Sequence, residues 1–234
     1  MDKKGLRLII TGATGMVGEG VLHVCLQHPD VEAVLIINRK PLGLSHPRLK
    51  EIIHADFFDL SPIARELTPY DACLFCLGIS SVGVRSDAYF KTTYTLTLHM
   101  AETLLKVNRD ISFCYVSGAG TDRTGKGRVA WARVKGKTEN DLMKLPFRSV
   151  FALRPGFIKP IRGLKHAHKF YRYINWMFPA GRRLFPGGFC TMEELAHAML
   201  HAVKSGDVRK VVDGKEIIRL AAEERKEKGL QPTQ

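Results

Sequence analysis

No stretch of this 234-residue chain approaches the roughly 20 consecutive apolar residues that a bilayer-spanning helix needs. The apolar run near the N-terminus is only Leu8, Ile9 and Ile10 before glycines intervene, too short for the core of a secretion signal. No membrane span is expected, and the expected location is cytoplasmic. Cysteine is scarce and odd in number, five in all, which fits reduced thiols better than a disulfide framework. Cys73 and Cys76 form a CxxC pair, but segment 71–78 reads as a buried strand. Residues three apart on a strand point to opposite faces, so these thiols are not expected to meet. His197 and His201 lie four apart on a helical pattern, yet no HExxH motif or cysteine pair supplies further ligands, and no metal is expected. Acidic residues are the scarce charge: 23 against 36 lysines and arginines leave a net +13. Such an excess suits polyanions, membrane surfaces or acidic small molecules, and alone it separates none of them.

What is present is an alternation of strands and helices. Short apolar, β-branched runs at 6–11, 31–37, 51–54, 74–77, 111–117 and 149–153 predict buried strands. Helical spacing predicts helices after the first glycines up to Pro29, over 86–107 and over 129–145. The pattern predicts an α/β doubly wound parallel sheet of Rossmann type, covered on both faces, in a single domain spanning 1–234. Beyond Pro155 the texture changes. Thr191 followed by Glu194 makes a capping box for a helix to Lys204, then come a strand near 208–212 and a helix near 215–227. Residues 155–190 and 205–234 are expected to form a small substrate-side cap, with a frayed tail after Gly229.

The strongest local signal is Thr11-Gly12-Ala13-Thr14-Gly15-Met16-Val17-Gly18, at the junction of the first strand and first helix. Gly12 permits the tight turn, Gly15 lets the backbone approach a pyrophosphate, and Gly18 lets the helix sit close on the sheet. The free N–H groups of the helix start, from Thr14 through Met16 and Val17, suit phosphate. This is a dinucleotide signature. An NAD site usually carries a carboxylate about 20 residues further on, at the ribose hydroxyls. Here the second strand ends Ile37-Asn38-Arg39-Lys40, without one. Arg39 can pair with a 2′-phosphate through its guanidinium fork and Lys40 adds charge, so NADP(H) is expected over NAD(H).

These motifs, with Asp56-Phe57, Cys76-Leu77-Gly78, Val134-Lys135-Gly136 and Arg154-Pro155-Gly156 in order, resemble the short-chain dehydrogenase/reductase superfamily. Within it the chain is similar to the atypical, NAD-dependent epimerase/dehydratase-like branch related to Tat-interacting-protein oxidoreductases and NmrA-like proteins. The resemblance implies that Asp56 bonds the adenine amino group, with Phe57 adding a backbone contact. It implies that Cys76, Leu77 and Gly78 line the path to the nicotinamide ribose, bordered by Pro155 and Gly156. Ser117 takes the position of the family's catalytic serine, and Lys135 that of the lysine that bonds the ribose and acidifies a tyrosine.

That tyrosine is missing. The family pattern is Tyr, three residues, Lys; here the segment reads Trp131-Ala-Arg-Val-Lys135. Four residues apart on a helix is one face, so Trp131 stands in the tyrosine's place. Indole donates a hydrogen bond but supplies no proton near neutral pH. Three explanations stay open: another donor such as Tyr89, Tyr94 or a cap residue; a hydride acceptor needing none; or NADP(H) binding without turnover, as a redox sensor or scaffold. Segment 159–183 interleaves Lys159, Arg162, Lys165, Lys169, Arg172, Arg182 and Arg183 with aromatics. An amphipathic cap helix or an anionic-substrate pocket is favoured there over nucleic acid, for which no motif speaks. The expected function is an NADP-dependent oxidoreductase acting on a carbonyl compound of unidentified structure, with Ser117 polarising the carbonyl and Lys135 holding the ribose. Monomer and homodimer both remain open.

Overall fold

In a computed structural model that describes residues 5–165, 177–204, 206 and 209–230, seven strands form one parallel sheet in the order β3-β2-β1-β4-β5-β6-β9. The strands are β1 Leu6–Thr11, β2 Val31–Asn38, β3 Leu49–Ile53, β4 Ala72–Phe75, β5 Ser112–Val116, β6 Ser149–Leu153 and β9 Arg209–Val212. The chain runs outward one way from β1 to β3 and the other way from β4 onward. The order therefore reverses between β1 and β4, where ligands of open α/β sheets bind beyond the strands' carboxyl ends.

Alternation along the strands builds two cores. Leu8, Ile10, Val34, Ile36, Ala72 and Leu74 face one side, covered by α1 (Met16–Gln27), α6 (Met192–Lys204) and α7 (Gly214–Lys228). Ile9, Leu35, Ile37, Cys73 and Phe75 face the other, under the 3-10 turn Ser61–Leu67, α3 (Leu96–Val107) and α4 (Ala130–Leu142). Each such aliphatic side chain contributes about 1.5–3 kcal/mol of burial. Cys73 and Cys76 fall in opposite layers, as strand geometry requires. β4 ends at Phe75, earlier than its apolar run, because Cys76 to Gly78 leave the ladder and pass beside the glycine turn: a β-carbon on Gly12 would stand 2.8 Å from Leu77.

The helix expected over 86–107 is interrupted. α2 (Ser86–Phe90) passes through a π turn at Lys91–Thr95 before α3 begins. The segment is Lys-Thr-Thr-Tyr-Thr, and the Thr97 hydroxyl donates to the Thr93 carbonyl at 2.7 Å, the kind of side-chain competition that loosens a helical ladder. The capping box stands as read: Thr191 N donates to Glu194 Oε2 at 2.8 Å, and Glu194 N to Thr191 Oγ1 at 3.1 Å.

The C-terminal segment corrects an expectation. Arg209–Val212 is the seventh strand of the main sheet, paired with β6, and α7 buries Ile217, Leu220 and Ala221 in the core beside α6. This part of 205–234 is scaffold, not cap. Its apolar residues fit the sheet edge better than a solvent-facing lid. Residues 231–234 lie outside the described residues. What stands apart from the sheet is a two-stranded parallel ribbon, β7 (Phe157–Lys159) with β8 (Phe189–Thr191), and the short helix α5 (Phe178–Leu184). Phe157, Phe178 and Phe189 hold it together, their ring centroids 5.6–6.2 Å apart.

The helices on the first face share a charged knot. Lys204 on α6 bonds Glu224 on α7 and lies 3.1 Å from Asp30, while His28 sits 3.2 Å from the fully buried Glu224. His201 approaches Glu224 at 3.3 Å, and the His197 ring packs 5.7 Å from His28. Burial pushes His197 down to about 4, so it stays neutral at physiological pH.

Candidate functional site

Two cavities open at the carboxyl ends of the strands, at the reversal point. The first, about 470 Å³, is lined by Gly12, Thr14, Gly15, Asn38, Arg39 and Asp56, with further walls from Phe57 and the π turn. The second, about 460 Å³, lies over Val17, Ser117, Lys135, Pro155, Gly156 and Ile158. Cys76, Leu77, Gly78 and Ile79 line both, so the two form one trough. Of the residues expected to contact the cofactor, Met16, Gly18 and Lys40 line neither. Gly18 acts from beneath: a β-carbon there would stand 2.1 Å from the Gly12 carbonyl oxygen, so the helix start can lie against the turn only without one. Gly12 itself has φ +73°, the left-handed region that a side chain disfavours.

Several features fit a dinucleotide in this trough. No side chain caps the N-terminus of α1, which leaves its first N–H groups to a ligand. The Thr11 hydroxyl just below is fully buried with no hydrogen-bond partner among the described residues. A β-carbon on Gly78 would meet nothing within 4 Å, as expected where the cleft is kept open.

The end of β2 is more organised than the sequence indicates. Asn38 is buried, and its amide donates to Glu51 Oε1 at 2.8 Å, the same oxygen that accepts Leu42 N at 2.9 Å. Glu51, unremarkable in the sequence, thus pins the loop carrying Arg39, and its bonded oxygen faces that loop. Arg39 itself is exposed at the cavity wall. Asp56 Oδ1 accepts the Phe58 N–H at 2.8 Å, an Asx turn that holds the carboxylate at the rim.

At the other end Lys135 is the central charge. Its Nζ donates to the carbonyls of Ser117 at 3.1 Å and Val116 at 3.2 Å, and sits 5.4 Å from the Tyr115 ring centroid. Burial lowers its pKa to about 8, against an opposing pull from Glu139 one turn on. Glu139 is fully buried and held by Arg154 through two bonds, 2.9 and 2.5 Å, so its charge is largely spent there. Gly136 lets α4 dock this closely: a β-carbon would fall 1.8 Å from the Asp122 carbonyl oxygen. The Ser117 hydroxyl lies 3.0 Å from Thr121 Oγ1, and Thr121 in turn donates to the Gly118 carbonyl at 2.8 Å. With Thr121's proton so used, Ser117 is the donor of that pair. Thr121 carries no sequence signal, because its role depends on a turn that only the fold closes.

Trp131 shares a face with Lys135, but its ring lies over the following turn, 3.7–4.0 Å from where β-carbons on Gly120 and Gly118 would stand. It does not line the Ser117–Lys135 cavity. Nor does any tyrosine among the described residues. Tyr94 donates to Asp141 at 2.9 Å with Lys137 over its ring, and Tyr89 is buried, its phenol raised by that burial. The basic segment divides as well. Arg182 is committed to Glu194 and the Phe189 carbonyl, Lys159 lies over the Phe178 ring, and residues 166–176, including His166, His168, Lys169 and Arg172, lie outside the described residues. None of that segment's described basic residues lines the Ser117–Lys135 cavity.

The sheet order and the trough at its reversal point define a Rossmann-type protein. The sequence model of the NAD dependent epimerase/dehydratase family matches residues 8–125, half of the chain, and the chain belongs to that family. Among curated proteins it is similar to "Protein fmp52, mitochondrial" of Aspergillus clavatus, 29% identical over 155 residues, covering 64% of this chain and 65% of that one. The match thus spans somewhat less than two thirds of that relative. Among solved structures it is similar to ADP-L-glycero-D-manno-heptose-6-epimerase of Helicobacter pylori (TM-score 0.62, 18% identity, 95% of this chain and 84% of that one). It is also similar to UDP-glucuronic acid 4-epimerase of Bacillus cereus, solved in complex with NAD (TM-score 0.63, 15% identity, 96% and 83%). At these identities the structures speak for the fold alone. The family expectation is borne out, and a nicotinamide dinucleotide is the supported cofactor class. The expectation of a cytoplasmic chain is overturned, because several similar curated proteins are designated mitochondrial. That expectation rested on the lack of a secretion signal or span, which does not distinguish the cytosol from an organelle. Among the described residues no helix is long and apolar enough to cross a membrane.

Proposed function

We propose that this protein binds NADP(H) along the trough and reduces a small carbonyl compound at the Ser117–Lys135 end. The carrying observation is the continuity of the two cavities through residues 76–79, which joins the phosphate-binding turn to Ser117 and Lys135 in one cleft. The α1 N-terminus holds the pyrophosphate, Arg39 pairs with the 2′-phosphate, and Asp56 faces the adenine. When bound, the reduced cofactor supplies a hydride. Lys135 is fixed by two carbonyls with its remaining direction toward the substrate end of the cleft, and the Ser117 hydroxyl turns from Thr121 to hydrogen-bond the substrate oxygen. Apart from Ser117, Lys135 and Cys76 the second cavity is lined by backbone and apolar groups, which supports a small, weakly polar substrate over an anionic one. The mitochondrial designation of the relatives is carried over as the proposed location.

A second reading, an NADP(H)-binding sensor without turnover, is favoured by one observation: Trp131 packs on the turn and supplies no acid. Fluorescence titration with NADPH and NADH, followed by a carbonyl panel in the same cuvette, separates the two. Tight NADPH binding with carbonyl-dependent oxidation supports the reductase. Tight binding with no oxidation supports the sensor, and no binding refutes both.

A further inference from the structure

We propose that Lys135 is itself the proton donor of this site, the ammonium giving its cavity-facing proton to the substrate oxygen. The inference rests on the reductase reading and deepens it. A tetrahedral amine has four directions. In Lys135 one goes to Cε and two point at the Val116 and Ser117 carbonyls, 3.2 and 3.1 Å away. The fourth is left for the cavity that Lys135 lines with Ser117. Both protonation states satisfy both carbonyls: the ammonium uses two of its three protons there, and the neutral amine has two to give. Loss of the third proton therefore breaks neither bond, although both are stronger to the ammonium, and that proton is the one facing the cavity.

The surroundings lower the cost of losing it. Burial brings the group to about 8, within reach of neutral-pH proton transfer. The charged and titratable groups around it come from each neighbouring element. Glu139 on its own helix is neutralised by Arg154 beyond β6, with Arg123 from the preceding loop 4.0 Å away. Tyr115 from β5 is pushed up by burial, and the Cys76 thiol, lining the same cavity after β4, is pushed up to about 12. None of these is a better acid at neutral pH. The remaining described tyrosines are turned elsewhere, and Trp131 has no proton to give.

The step balances. The carbonyl carbon takes a hydride from the reduced nicotinamide dinucleotide, the C=O π pair moves to oxygen, and oxygen takes the proton from Nζ. Alcohol, oxidised cofactor and neutral Lys135 result, and water returns the proton to the amine.

Two measurements on the full chain test this. In the cofactor-free protein with 13Cε-labelled lysines, the resonance that disappears in Lys135→Arg should titrate with a midpoint near 8, apart from the bulk of the lysine resonances. A midpoint with the surface lysines overturns the proposal. In carbonyl reduction, the wild-type rate should fall as pH rises through about 8. Lys135→Arg keeps charge and donors but yields no proton; it should lose roughly 10²-fold or more in kcat, with NADPH affinity within a few-fold. Equal loss of affinity and kcat would mark a cofactor-holding role and overturn the proposal, as would loss of turnover in Tyr171→Phe/Tyr173→Phe with Lys135 intact. If no carbonyl is reduced by wild type that binds NADPH, the reductase reading fails and this inference with it. If wild type turns over with no pH dependence near 8, only the Lys135 assignment fails.

Discussion

The two ends of the trough are made of different things. The glycine-turn end is built largely from backbone: a glycine turn, an uncapped helix start and strand ends, with Arg39 as the one basic side chain among the residues lining that cavity. The Ser117–Lys135 end depends on side chains that hold one another, Lys135 to two carbonyls, Ser117 to Thr121, and Glu139 to Arg154 behind them. Backbone sites tolerate drift in neighbouring side chains, whereas side-chain sites change chemistry with one substitution. Trp131, where the resemblance leads one to expect a tyrosine, packs beside the second kind of region, and the glycine turn lies in the first.

Substitutions can break this contrast, beginning with the largest effect. Glu139→Gln strands the Arg154 guanidinium and should cost about 3 kcal/mol, read as a lower denaturant midpoint, with NADPH affinity following stability. A midpoint unchanged by this substitution would show that the pair is dispensable to the wall behind Lys135. Gly18→Ala forces a β-carbon against the Gly12 carbonyl and should cost about 2 kcal/mol, with dinucleotide binding weakened even where the chain stays folded. Wild-type affinity in that variant would mean the turn is not the phosphate site. Arg39→Asp should shift the NADPH-to-NADH affinity ratio by about 10-fold or more toward NADH, the loss of a charge-assisted pair. An unchanged ratio would remove Arg39 from the 2′-phosphate. Smallest, Thr121→Val frees the Ser117 hydroxyl and should change stability by about 1 kcal/mol while altering kcat more than NADPH affinity; an effect on affinity alone would place Thr121 in cofactor binding.

How much of this was readable beforehand follows the same division. The glycine turn, β1, β6 and the Thr191–Glu194 box are local in sequence, and a local pattern fixes them. The π turn at Lys91–Thr95 is not legible because Lys-Thr-Thr-Tyr-Thr is mostly polar, so the change of face across it leaves no gap in the apolar pattern. The strand near 208–212 is legible as a strand, but so short a run does not say which sheet it joins, and it pairs with β6 rather than forming a cap. Glu51 gives no signal because its partners, Asn38 and Leu42, lie on another strand and the loop after it, and Thr121 gives none because its bonds to Ser117 and Gly118 form only once the turn after β5 closes. Trp131 was placed correctly in register with Lys135. Its resting place on the Gly118–Gly120 turn needed the fold.

The central claim is that one dinucleotide spans both cavities. Amide hydrogen exchange with and without saturating NADPH tests it directly. The account predicts new protection at 12–18, 38–40, 55–58 and 76–79 and, in the same sample, at 116–119. Protection at the glycine turn with none at 116–119 would contradict it, leaving a nucleotide site whose ligand never reaches Lys135.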